Sequence, residues 1–497
     1  MDSRMKKSTA LLLALVLGLS LVSFAGAEET SKAPKYVFLF IGDGMGAPQI
    51  SATRYYQGTL ANPDTEFPTA SDLSFTTFPN TGLMTTYDAT SFCPDSASTA
   101  SSMASGEKTL SGVINYDVTL ENQFKLITEY AKEAGMKVGV ISTVSVDHAT
   151  PAAFYAKSTS RNNYYDIAVQ GMSGSTLDLL GGGGIKRPTG DKKDQKDVFE
   201  IAAENGFTLV NTLEGIRELK PEIGSRVLLT APDTVGSDAM QYEIDRIRIE
   251  QEGGDSISLA EVTQSAINFL DNENGFFMMV EGGKIDWSCH ANDALTTIVE
   301  TIAFSDAVQA AIDFAHNNPE DTLIVVTGDH ETGGLTIGFA TTAYETHFDY
   351  LQSQNMSYED FDKVVAEMRA NDVVFEDALA LIEAAYGLTA APDQALTLTG
   401  KELDTIKAAY EKSMLPGLMR EMGDEEAFLY GGYEPLTVTC AHVLNNKAGL
   451  AYTSYSHTGL QLPVYAQGVN AELFNGSYDN TDIFNKLMDA MDISTAL

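Results

Sequence analysis

The chain has little positive charge and little cysteine. Lysine and arginine number 31 against 69 aspartates and glutamates, a formal net charge of −38. Phosphate backbones attract basic patches, so this balance argues against nucleic acid as a partner. It favours solubility and a salty or extracellular setting. The three cysteines, Cys93, Cys289 and Cys440, are too few and too scattered for a disulfide framework. Cys93 and Cys289 read as small packing residues. No stretch after the N-terminal segment approaches the roughly 20 apolar residues of a membrane span, so the mature chain is expected to lack one. Internal repeats and low-complexity tracts are also missing.

What the N-terminus does contain is a targeting pattern. Arg4, Lys6 and Lys7 precede an apolar run from Ala10 to Val22, and Ala25-Gly26-Ala27 offers a small-residue cleavage site before Glu28 and Glu29. This reads as a secretory signal peptide over 1–27, cut near Ala27. The mature protein is expected to be secreted or periplasmic. No cysteine follows the apolar run, which argues against a lipid anchor. The remaining length suits one large α/β domain with insertions, or two to three domains.

Four apolar runs bounded by glycine then organise the chain. Lys35 to Ile41 leads into Gly42-Asp43-Gly44-Met45-Gly46. Lys137 to Thr143 leads into Asp147-His148-Ala149-Thr150. Phe276 to Val280 leads into Glu281-Gly282-Gly283, then Asp286 and His290. Thr322 to Thr327 leads into Gly328-Asp329-His330. Continuous apolar runs of this length suit parallel strands covered on both faces. Helices are expected at Glu121 to Ala134, Leu259 to Leu270 and Ala294 to Ala315. The alternation predicts an α/β fold: a doubly wound, mostly parallel sheet flanked by helices on both faces. Its core would span 28–340 and 436–497. Between them, 341–435 reads as a mostly helical insertion, with helices near 358–369, 374–385 and 400–413. Strands are expected again at Leu436 to Cys440 and Leu462 to Gln467.

Ligands of open α/β sheets sit beyond the carboxyl ends of the strands. Four strands that deliver Asp, His, Glu and Thr to one edge therefore predict a multi-metal site. Asp286 and His290, four apart, share a helical face and can reach one ion. His148, His290, His330 and His457 are four of only seven histidines in the chain. Carboxylates mixed with imidazoles suit zinc or a similar ion, whereas the oxygens of Glu281 and Thr150 suit magnesium. Paired metals recur in phosphoryl transfer. Ser96 follows Asp95 and opens an Ala/Ser-rich helix start, where free N–H groups favour a phosphate. Its hydroxyl is the nucleophile candidate. Arg161, in a polar loop, is the candidate phosphate clamp, because a guanidinium fork matches two phosphate oxygens.

Together these motifs resemble the alkaline phosphatase family over nearly all of the mature chain outside the insertion. The resemblance rests on Gly42 to Gly46, Pro94-Asp95-Ser96-Ala97, His148 to Ala152 through Arg161, Glu281-Gly282-Gly283 with Asp286 and His290, Asp329-His330-Glu331, and His457-Thr458-Gly459. It implies Asp286, His290 and His457 as ligands of one zinc-type ion and Asp43, Asp329 and His330 as ligands of a second. Asp43 would bridge to a magnesium completed by Thr150 and Glu281. The implied set is two Zn2+ and one Mg2+ per subunit, with Co2+ able to replace Zn2+. Ser96 would carry a phosphoseryl intermediate, Arg161 would orient the phosphoryl group, and a homodimer acting on phosphate monoesters is implied. His148 and Trp287 stand where better-known members have an aspartate and a lysine or histidine, which leaves the working metals open. The competing readings are a relative that prefers phosphodiesters or sulfate esters, and a non-catalytic phosphate- or metal-binding protein. Ser96, Arg161, Thr150 and Glu281 favour the monoester reading.

Overall fold

The four apolar runs become neighbours in one sheet. The computed structural model describes residues 32–65, 67–174, 176–417 and 423–494; the expected signal peptide lies outside the described residues. The main sheet has ten strands: β1 (Tyr36–Gly42), β2 (Asn80–Thr85), β3 (Lys137–Ser142), β4 (Leu179–Gly182), β5 (Phe207–Val210), β6 (Arg226–Thr230), β7 (Phe276–Glu281), β8 (Thr322–Gly328), β9 (Leu462–Gly468) and β10 (Gly476–Asp479). Their spatial order is β10-β2-β9-β8-β1-β7-β3-β4-β6-β5. Strand β9 runs antiparallel to both neighbours, and every other pairing in this sheet is parallel.

The period of two along a strand explains why these runs are apolar throughout. In β1, Val37, Leu39 and Ile41 face one core. Tyr36, Phe38 and Phe40 face the other. Helix α1 (Ser96–Ser105) buries Ala97, Ala100 and Met103 on the first face. Helices α2 (Leu259–Leu270) and α4 (Ala294–Asn317) cover the second with Val262, Ala266, Phe304 and Val308. Between them in sequence lies the short α3 (Lys284–His290). By length and composition α4 could cross a membrane, yet most of it is buried inside the fold.

A third core gathers Phe361, Val365, Ile382, Tyr386 and Ile406 with Leu295 and Ile298 of α4. The expected helices are present as Tyr358–Ala370, Phe375–Tyr386 and Gly400–Ser413. Other expectations need correction. Leu436 to Cys440 is not a strand but the start of helix α5 (Pro435–Ala448). Its β-branched, fully buried residues satisfy either period. Pro435 in the first turn and Gly449 at a φ of 82° after the last are the helix signals that decide. The helix expected over Glu121 to Ala134 shrinks to Ile127–Glu133. The Asp117 carboxylate accepts from the amides of Thr119, Glu121 and Asn122 and holds that stretch as a turn. Cys93 is exposed rather than packed, whereas Cys289 is buried.

Phe38 packs its ring against Phe40, Phe276 and Phe314. Phe38→Ala is expected to cost about 3–5 kcal/mol of stability. A denaturation midpoint equal to that of the unaltered protein would contradict the two-faced burial described here.

Candidate active site

Strand register sets the site. Ile41 of β1 lies level with Glu281 of β7 and Thr327 of β8, and Ser142 of β3 also pairs with Glu281. The four carboxyl ends therefore finish side by side. Asp43 follows β1, Glu281 ends β7, Asp329 and His330 follow β8, and Thr150 sits in a helical turn (Ala149–Ala152) beyond β3. Asp286 and His290 share one face of α3. His457 arrives from the far end of the chain, in a two-residue antiparallel pairing of His457–Thr458 with Glu331–Thr332.

Two groups of donor atoms result. Those of Asp43, Asp329 and His330 lie within 4.8 Å of one another, and so do those of Asp286, His330 and His457. His330 is shared: its Nε2 is 3.4 Å from Asp43 Oδ1 and 3.3 Å from Asp329 Oδ2, and its ring stacks on His457 at 3.6 Å. His290 joins the second group, with Nε2 3.0 Å from His457 Nε2 and 3.3 Å from Asp286 Oδ1. The opposite nitrogens are spoken for: His290 Nδ1 donates to the Tyr455 carbonyl at 2.6 Å and His457 Nδ1 to that of Pro94 at 2.5 Å. Both Nδ1 atoms are thereby engaged, and the two Nε2 atoms face each other beside Asp286, which raises the His290 pKa to about 9 against the pull of burial; a divalent ion can take the place of that Nε2 proton.

A third group is all oxygen. The Thr150 hydroxyl donates to Asp43 Oδ2 at 3.3 Å, and that of Ser142 donates to Glu281 Oε2. Asp43 Oδ1 and Glu281 Oε1 are buried with no hydrogen-bond donor. Burial, then Asp329, Asp286 and Glu281, push the Asp43 pKa well above the carboxylate range. Burial pushes Glu281 to about 8, and burial with Asp286 pushes Asp329 to about 6. Burial also opposes the charge on Asp286, but His290 and His457 outweigh it and hold that carboxyl well below its usual range. Crowded carboxylates with orphaned oxygens fit cations, which reverse these shifts. The donor sets thus match hosts for two imidazole-accepting ions and one oxygen-preferring ion.

Ser96 stands at the first position of α1, with its hydroxyl 3.2 Å from His330 Nε2. The helix cap is not Ser96 but Asp95, which accepts from the Ser98 amide at 3.1 Å and that of Gly112 at 2.9 Å. The other Asp95 oxygen holds Arg161 Nη1 at 2.8 Å. Arg161 Nη2 lies 3.4 Å from His148 Nε2. Burial, then the Arg161 charge, push His148 down to about 3, so it stays neutral. Its ring meets Trp287 edge-on at 5.8 Å. Asp147, in the motif after β3, turns away and accepts from the Lys186 amide.

The sequence reading gave no role to several side chains that hold this geometry. Thr99 donates to Asp329 Oδ2 at 3.0 Å; its signal was its place one turn after Ser96. Thr332 donates to Asp286 and lies 3.2 Å from His330 Nδ1; its signal was the period of two from His330. Asp95 had been visible only as part of the nucleophile motif.

The sequence model of the alkaline phosphatase family matches residues 34–493. The chain belongs to the alkaline phosphatase family. It is a hydrolase of that family. Alkaline phosphatase 4 of Bacillus subtilis (strain 168) is 31% identical over 500 residues, covering 96% of each chain. Among solved structures, the cold-active alkaline phosphatase of a psychrophilic Shewanella superposes with a TM-score of 0.73 at 28% identity, over 92% of this chain and 99% of that one. A variant of the alkaline phosphatase of the Antarctic bacterium TAB5, with Mg bound in its M3 site, matches with a TM-score of 0.61 at 26% identity, over 94% and 100% of the two chains.

Gly44 of this alkaline phosphatase has a φ of 73°, and a Cβ there would lie 2.8 Å from the Asp286 Cα and 2.9 Å from Thr332 Oγ1. Gly44→Ala is therefore expected to displace Asp286 and to reduce the divalent ions that co-elute with the protein in gel filtration. Unchanged metal content would show that Asp286 is not held by this approach.

Proposed function

We propose that the protein hydrolyses phosphate monoesters outside the cytoplasm through a phosphoseryl intermediate at Ser96. The observation that carries this reading is the placement of one buried hydroxyl. Ser96 Oγ sits at a helix N-terminus, 3.2 Å from the imidazole that both donor groups share, on the strand-end edge that Arg161 also faces.

Asp286, His290 and His457 would hold one zinc-type ion and Asp43, Asp329 and His330 the other, with Co2+ an alternative to Zn2+. Asp43, Thr150 and Glu281 would hold magnesium, in line with the TAB5 variant that binds Mg. When bound, these ions supply Lewis-acid charge that activates the Ser96 hydroxyl and the hydrolytic water. Ser96 Oγ gives up its proton to solvent and forms the bond to phosphorus, the alcohol oxygen leaves with the bonding pair, and solvent protonates it. Water then breaks the Ser96–phosphorus link and frees phosphate and the serine. Amides at the start of α1 favour the transferred anion. Arg161 grips two of its oxygens, kept on station by Asp95. His148 is neutral and Trp287 uncharged, so neither adds positive charge beside Arg161, and phosphate product is held by that one guanidinium and the ions.

Segment 341–435 is proposed to shape the site rim: Tyr433 stacks at 6.3 Å on Tyr455, whose carbonyl orients His290. A homodimer, zinc and magnesium occupancy and signal-directed export complete the proposal.

The test is hydrolysis of p-nitrophenyl phosphate at alkaline pH by metal-stripped protein re-supplied with zinc, cobalt or magnesium. Metal-restored activity that falls by on the order of 10³ or more in Ser96→Ala supports the reading. A folded, metal-loaded protein without monoesterase activity rejects it. Arg161→Ala and Asp95→Ala are each expected to lower kcat/KM by about 10- to 100-fold, since a charge-assisted contact contributes about 1.5–3 kcal/mol. Equal kcat/KM in Asp95→Ala would show that Arg161 needs no partner.

A further inference from the structure

The segment that carries His457 and orients His290 is held from behind by a polar clamp. Asn292, two residues after His290, is buried and adopts a φ of 54°, which ends α3. Its Nδ2 donates to the Cys289 carbonyl at 2.8 Å and to the Ser454 carbonyl at 2.9 Å. Because both partners are carbonyls, the amide orientation is fixed and Oδ1 must accept. It receives His442 Nε2 from α5 at 3.0 Å. The Asn292 carbonyl accepts in turn from Asn445 of the same helix at 2.8 Å. Burial pushes the His442 pKa down to about 4, so the ring is neutral at alkaline pH and its single proton belongs on Nε2.

The two carbonyls that Asn292 grips sit next to the groups that matter. Cys289 precedes His290. Ser454 precedes Tyr455, whose carbonyl takes the His290 Nδ1 proton, and His457 follows two residues later. On its outer side this segment borders a cavity of about 730 Å³ lined by Phe428, His442, Ser454 and Tyr455, among others.

We propose that Asn292, together with His442 and Asn445 of α5, is the positioning unit that sets His290 and His457 for their shared ion. This rests on the assignment of Asp286, His290 and His457 as one metal site. None of the three clamp residues touches substrate or metal; each acts through the backbone or through another side chain. Helix α5, which follows the insertion, thereby gains a role at the site.

The test is the rate at which cobalt-loaded protein releases its ions to a chelator, followed by the visible Co2+ spectrum and by metal content per chain. Asn292→Gly keeps the left-handed backbone and removes the amide. His442→Phe keeps a ring and removes the donor, and His442→Gln restores one. Asn292→Gly and His442→Phe are expected to release one Co2+ per chain about tenfold faster or more, the usual effect of losing an outer-shell partner, with His442→Gln close to the unaltered protein. Release at the unaltered rate in folded variants overturns the proposal. Should Asn292→Gly fail to fold, His442→Phe decides by the same readout. Unaltered protein that binds cobalt in this way but lacks monoesterase activity sinks the proposed function and leaves the clamp to be judged on release alone. Unaltered protein that retains no Co2+ overturns the clamp and the site assignment together.

Discussion

Like charges buried at close range are the constraint on which this structure depends. Asp43, Glu281, Asp286 and Asp329 are all at most 4% exposed, and burial, with neighbouring carboxylates adding to it, raises the pKa values of Asp43, Glu281 and Asp329. No helix or loop left to itself would hold such a group together. Here the backbone does so: β8, β1, β7 and β3 are adjacent and parallel, level to within a residue at their carboxyl ends, and clad on both faces by apolar cores. The stability of the sheet sustains the electrostatic strain of the edge, and counter-charge completes it.

Around that edge, each reactive group is fixed by a neutral or capping partner. Asp95 caps α1, which carries Ser96, and also holds Arg161, so the Ser96 hydroxyl and the guanidinium are positioned by one carboxylate. Carbonyls of Tyr455 and Pro94 engage the Nδ1 atoms of His290 and His457. Thr332 spans from Asp286 to His330 and thereby ties the two donor groups. In a strongly acidic chain, with a net charge of −38, the α1 N-terminus and Arg161 bring positive potential to the same sheet edge as the donor groups, which is what the proposed phosphate site needs.

Much of this was legible in the sequence for a physical reason. Strands buried on both faces must be apolar throughout, so Phe38 and Phe40 mark a strand as clearly as Val37 and Leu39 do. Polar residues that abruptly follow such a run have to be at its end. Ser96 at a helix start, Asp286 with His290, and Asp329 with His330 follow from local spacing alone. What the sequence concealed were contacts between distant segments. Nothing local says that Thr332 meets Asp286, or that Asn292 reaches Ser454 and His442. Helix α5 was misread because Leu436 to Cys440 is buried all round and β-branched, so periodicity could not separate helix from strand. Cys93 was misplaced because its exposure depends on the loop before α1, not on its own apolar character.

The central claim is that the hydroxyl of Ser96 takes the phosphoryl group at a cation-dependent strand-end site. The most direct measurement is mass spectrometry of the peptide bearing Ser96 after metal-loaded protein and a phosphate monoester are quenched in acid. The account predicts a phosphoryl group on Ser96, absent from metal-stripped protein and from Ser96→Ala. Turnover without covalent phosphate on this residue, or with phosphate on another, would contradict it.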